Sequence, residues 1–243
     1  MANKNSGGES GATPGKGVTE AKALNILGEQ RFLAAARVAA AWNILIGERR
    51  SEHTIPPIKL AGSPPIRYTE ATLTAVSKDP GWYLIYEPGF TLKDNRAILG
   101  TDPTRSPSHR EDNTWWFAQR EEGWVNKKHD TGYYLIKMEG ALTLDDASKD
   151  WRWQEKQIQQ MGEAFQRAPT QIVLNSVVTC FLLNNQKYIS KYNNFGPELD
   201  ADYCYVTCVF DNAGLSLGHW VNNDWGGYWG SEIRVLLGRK PDF

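Results

Sequence analysis

The sequence predicts an α+β fold, and three observations carry the prediction. Two segments rich in aromatic and β-branched residues, GWYLIYEPGF and TGYYLIKM, read as strands. One segment, PTQIVLNSVVTCFLLNN, is apolar almost all round and reads as a buried central helix. Near the C-terminus DYCYVTCVF alternates with period two, the mark of a strand with one face in the core. Strands and helices follow one another in mixed order, as in an α+β domain. At 243 residues the chain buries a sizeable core, and we expect one main domain with an N-terminal attachment.

Residues 1–18 are Gly/Ser-rich and poor in apolar side chains, which predicts a disordered leader. It lacks the apolar segment of a signal peptide or an anchor. From Thr19 to Arg49 the chain turns Ala/Leu-rich, with Leu24, Leu27, Phe32, Val38, Trp42 and Leu45 in a helical repeat, as one helix or two divided near Gly28. HTIPPIKLAGSPPIRYTE carries Pro-Pro twice and reads as an extended connector, so that residues 19–65 form a helical extension ahead of a main domain at 66–243.

That domain opens with a short helix at Glu70–Ser77 and the strand GWYLIYEPGF, which stops at Pro88-Gly89. The stretch from Thr91 to Asp130 is polar and turn-rich, with strand candidates around Trp115–Ala118; long irregular segments are either functional or a signature of the fold. TGYYLIKM is the next strand. DDASKDWRWQEKQIQQMGEAF reads as a helix with acidic residues at its N-terminal, dipole-positive end. Arg167-Ala168-Pro169 breaks it, and Pro169 suits the first position of the buried helix that follows.

In the last third, Cys204, Val206, Cys208 and Phe210 fall on one face of a strand, and Tyr203, Tyr205 and Thr207 on the other. DNAG turns the chain, and LSLGHW repeats the alternation with Leu215 and Leu217 inward and Ser216 and Gly218 outward. EIRVLLG reads as a last strand burying Ile233, Val235 and Leu237. Between those strands lie His219, Asn222, Asn223, Asp224 and Tyr228, interleaved with Trp220, Trp225, Trp229 and glycines. Tyrosine and tryptophan give contact area at low rotamer cost, while Asn, Asp, Ser and His give adaptable hydrogen bonds, which is the composition of antibody loops. The competing reading is a solvated Gly/Asn loop whose tryptophans belong to the core.

A formal net charge of −1 gives no reason to expect nucleic acid as a partner. Three cysteines, Cys180, Cys204 and Cys208, do not make a disulfide framework or a zinc site and read as buried small hydrophobes. Cys204 and Cys208, on one strand face, lie roughly 13 Å apart at about 3.3 Å per residue, too far to bridge. No run approaches the roughly 18 apolar residues of a membrane span, so the default location is the cytoplasm or a virion, with export by an unrecognised route left open. Most of the ten tryptophans are expected in the core, including Trp115, Trp116, Trp151 and Trp153.

The ordered segments WYLIYEPGFTL, TGYYLIKMEG, WRWQEKQIQQMGEAFQRAPTQIVLNSVVTCFLLNN, YVTCVFDNAGLSLGHW and SEIRVLLGRK resemble the variable proteins of diversity-generating retroelements, over residues 66–240. The resemblance implies a C-type-lectin-like fold whose C-terminal region, about residues 200–232 here, is rewritten at adenines by an error-prone reverse transcriptase. Template Asn codons then yield Asn, Asp, Tyr, His, Ser, Gly, Val or Thr, but never Trp. Tyr203, Tyr205, Thr207, Ser216, Gly218, His219, Val221, Asn222, Asn223, Asp224, Tyr228 and Ser231 belong to the permitted set and are the expected variable, ligand-contacting positions. Trp220, Trp225 and Trp229 would be fixed scaffold or fixed contacts, and Ile233, Val235 and Leu237 match the final strand of the family. The N-terminal extension lies outside the resemblance. The calcium motif of animal lectins, a clustered Glu-Pro-Asn triplet, is missing near the loop, which argues against metal-dependent sugar binding.

The resemblance thus implies a non-enzymatic binder of a protein or glycan ligand, without cofactor or metal and with oligomerisation left open. Two other classes compete. A structural or virion assembly protein would use the same aromatics as a fixed interface. An enzyme would use Cys204 with Cys208, as formylglycine-generating oxidases of this fold use a cysteine pair, or His219 with Asp224 as an acid/base pair. Neither enzyme form has a nucleophile motif, metal set or phosphate-binding glycine loop beside it.

Overall fold

The first half of the chain builds around a strand with both faces covered. In the computed structural model, residues 16–52, 54–112, 123–138, 151–186, 192–199, 205–211, 214–220, 232–234 and 237–243 are described, and for 151–153, 192–199, 205–209, 211, 218–220 and 232–234 the description is of backbone alone. Strand β2 (Trp82–Glu87) is buried at every position. On one edge it pairs in parallel with the two-residue β1 (Phe32–Leu33), and on the other antiparallel with β3 (Gly132–Lys137). Near the C-terminus β9 (Leu237–Arg239) returns to β3, and β4 (Phe165–Arg167) completes a sheet of order β1-β2-β3-β9-β4.

Helices α1 (Glu20–Leu27) and α2 (Ala35–Glu48) divide at Gly28, whose φ of 78° ends α1 in the left-handed region that glycine tolerates. Trp42 of α2 is fully buried, packs in a tilted contact on Phe90 with ring centroids 5.1 Å apart and donates its indole N–H to Thr179 Oγ1 at 2.9 Å. With β1 inside the sheet, the expected extension at 19–65 shares the core of the chain that follows. The Pro-rich connector is pinned to α2, because Asn43 exchanges hydrogen bonds with both the N–H and the carbonyl of Ile58.

Helix α3 (Glu70–Ser77) spans the expected residues and is capped by Thr69. The stretch after Thr91, expected to be irregular, begins instead with helix α4 (Leu92–Leu99). Thr91 and Asp94 form a reciprocal capping box there, which satisfies two orphan amides of the first turn. A single turn, α5 (Gly123–Asn126), precedes β3, and the strand candidates around Trp115–Ala118 lie outside the described residues.

Helix α6 (Trp151–Gln160) ends earlier than expected, since Phe165 stands in β4 rather than in the helix. Helix α7 (Thr170–Asn184) follows Pro169, which serves as its N-cap, and is buried continuously from Thr170 to Cys180, as its composition predicts. Asn185 closes it with φ of 53°, a left-handed C-cap that asparagine accepts. Cys180 is fully buried.

A second sheet of order β7-β6-β5-β8 is made by β5 (Tyr192–Leu199), β6 (Tyr205–Asp211), β7 (Gly214–Trp220) and β8 (Glu232–Arg234). EIRVLLG is therefore not one strand. Glu232–Arg234 runs parallel to β5 in the second sheet, and Leu237–Arg239 joins β3 and β4 in the first. Leu237 is buried, while Val235 lies outside the described residues. The molecule is thus α+β, with two sheets and one contiguous core that reaches from Ala23 to Leu237.

Candidate binding surface

The β6–β7 hairpin is the element onto which the sequence placed most of its described site positions. Its register runs without a break from Tyr205↔Trp220 through Thr207↔Gly218 and Val209↔Ser216 to Asp211↔Gly214. Directly opposed residues share a face. One face carries Cys208, Phe210, Leu215 and Leu217 in register, and the last three are fully buried. Phe210 meets Phe181 of α7 edge-on, ring centroids 5.4 Å apart, and so fixes the hairpin to the central helix.

The opposite parity brings Tyr205, Thr207, Val209, Asp211, Gly214, Ser216, Gly218 and Trp220 together, with Gly214 buried and Ser216 half-buried. Strand β5, which sequence reasoning missed, extends that row: Phe195 pairs with Thr207 and Leu199 with Tyr205, across a register shift. His219, grouped with the outward positions from the sequence, stands opposite Val206, at the parity of Leu215 and Leu217. Register therefore separates it from the Tyr205–Thr207–Ser216–Gly218 set. Tyr203, Val221, Asn222, Asn223, Asp224, Trp225, Tyr228, Trp229 and Ser231 lie outside the described residues.

The hairpin is also held from a segment the sequence gave no reason to single out. Residues 108–110 lie beside β7: Leu215 N–H donates to Ser108 O and Arg110 N–H to Leu215 O, both at 2.9 Å, with His109 bridged in parallel to Leu215. The His109 side chain is fully buried and engages Asn95 Oδ1 through Nε2 at 2.9 Å. Asn95 Nδ2 donates to Asn175 Oδ1 at 2.7 Å, and Asn175 Nδ2 donates to Glu87 Oε1 at 2.8 Å. Because the Asn95 oxygen is the acceptor, the proton of His109 is assigned to Nε2.

A hydrogen-bonded line of buried side chains thus runs from β2 through α7 and α4 to the segment beside β7. Burial pushes the Glu87 carboxyl up to about 8, against the pull of its bonds from Asn175 and the Gly89 amide. Burial, with the nearby Arg96 charge, pushes His109 down to about 3. Both groups are neutral near pH 7, which suits a chain of neutral donors and acceptors.

Among the described residues no group of three or more His, Cys, Asp and Glu is placed to hold a metal ion, and no helix is long and apolar enough to cross a membrane. No family model, no curated protein and no solved structure matches this chain.

Proposed function

We propose that this chain is a non-enzymatic ligand-binding protein whose C-terminal surface is diversified by a retroelement, on a C-type-lectin-like scaffold. The observation that carries the reading is the division within one hairpin. Phe210, Leu215 and Leu217 are fully buried on one parity, while the other parity holds Tyr205, Thr207, Val209, Ser216 and Gly218, all of types reachable from an adenine-rich template codon, beside Trp220, which is not. A surface whose side chains change between copies needs an anchoring face that does not change, and this hairpin has the register to provide one. The two-sheet α+β arrangement is compatible with such a scaffold.

The ligand class is a protein or a glycan, met by aromatic anchors and adaptable polar groups, with no metal or cofactor in the contact. Sequencing the locus tests the reading. The expected result is a near-copy of the segment encoding the C-terminal region, differing mainly at adenines, beside a reverse transcriptase gene. A complete locus without the copy and the transcriptase removes the proposal.

A further inference from the structure

The segment from Gly100 to Arg110 connects three separate parts of the fold. At its start the Gly100 carbonyl accepts the His109 N–H at 2.8 Å, which closes the segment on itself. In its middle the Arg49 guanidinium, 3% exposed at the end of α2, donates to the carbonyls of Arg105 and Pro107 and reaches that of Ile98. At its end the backbone of residues 108–110 brackets Leu215. Charge-assisted bonds to carbonyls are stronger than neutral ones, so the middle is fixed firmly to α2.

We propose that residues 105–110 form a strap that sets the position of the β6–β7 hairpin, with His109 as its positioning residue. Two features make the strap more than a packed loop. Its bonds to Leu215 are backbone to backbone, so apart from the missing Cβ at Gly214 they do not depend on which side chains the hairpin carries. Its one buried imidazole points away from the hairpin, into the Asn95–Asn175–Glu87 chain, and so ties the strap to the first sheet.

Gly214 makes the contact possible. Its φ is +114°, and a Cβ there would stand 2.7 Å from Ser108 O and 3.4 Å from Arg110 N. The strap thus grips the hairpin beside its turn, at Gly214 and Leu215, away from the Tyr205↔Trp220 end. Substitution at that far end would leave the grip intact. This purpose rests on the binding reading, whereas the grip itself does not.

Amide hydrogen exchange on the full chain tests it without a ligand. The Leu215 and Arg110 amides report the strap, and the Leu84 and Met138 amides, bonded to Arg31 O and Gly81 O, report the first sheet. His109→Leu is expected to speed exchange of the first pair at least tenfold more than of the second, and His109→Gln, which keeps a donor toward Asn95, to restore most of the protection. Gly214→Ala leaves the buried chain intact and is expected to loosen the same two amides, so it carries the test if His109→Leu does not fold. Equal acceleration at both pairs, or no change at Leu215, overturns the proposal. A locus without a template copy would end the binding reading and leave these rates unmoved, so the two failures are distinguishable.

Discussion

Glu87 and His109 close the two ends of one buried chain, and their displaced pKa values make opposite demands on pH. Glu87 is raised from 4.5 to about 8, so its contribution to stability is full below pH 4.5 and is lost as pH rises toward 8. His109 is lowered from 6.5 to about 3, so its contribution is full above pH 6.5 and is lost as pH falls toward 3. Each proton costs about 1.4 kcal/mol per pH unit in its window. Between 4.5 and 6.5 the two slopes cancel. From these two groups we expect a plateau in stability there, with a decline on either side. Glu87→Gln should remove the alkaline decline and leave the acid one. Thermal melts across pH check this, and an unchanged alkaline limb in that variant would show that the Glu87 carboxyl is not raised in the fold above its unfolded value.

At the scale of elements, the β6–β7 hairpin predicts an asymmetry between its faces. Phe210→Ala removes a fully buried ring that packs on Phe181, and is expected to cost about 3–5 kcal/mol. Ser216→Asn, half-buried on the other parity, is expected to stay within about 0.5 kcal/mol. Denaturant unfolding of both variants measures the difference, and equal costs would assign both faces to the scaffold.

What was legible at this scale followed from length and period. Helices α3 and α7, strands β2 and β3, and the alternation of β6 and β7 all carry several residues of one pattern. Helix α4 was hidden because Lys93, Asp94, Asn95 and Arg96 make it look like loop, although Thr91 three residues before Asp94 is a capping signal that could have located it. Strand β5, YNNFGPEL, is built from Asn, Gly and Pro, residues depleted in strands, and its place comes from pairing with β6 and β8. The break between β8 and β9 leaves no mark, because the apolar period continues across the change of sheet. His109 and Arg49 were invisible for a different reason: the hydrogen bonds of their side chains reach across 14 to 58 residues, beyond what a local pattern reports.

At the scale of the molecule, the distinction between an N-terminal extension and a main domain meets the packing directly. Leu27, Phe32, Leu33, Val38, Trp42, Leu45 and Ile46 are each 6% exposed or less and belong to the same core as β2 and α7. At about 1.5–3 kcal/mol for each large apolar side chain fully buried, their removal forfeits on the order of 10 kcal/mol, comparable with the whole net stability of an ordinary domain. It would also strip Thr179 of its indole partner and the Tyr133 hydroxyl of its bonds to the Ala35 N–H and Glu20. A chain beginning at residue 66 should therefore show no cooperative melt and no near-ultraviolet dichroism from ordered aromatics, while the full chain unfolds in a single transition. If residues 66–243 instead melt cooperatively within a few degrees of the full chain, the helices are an attachment after all. The shared core would then be stable without the surface that α2 covers.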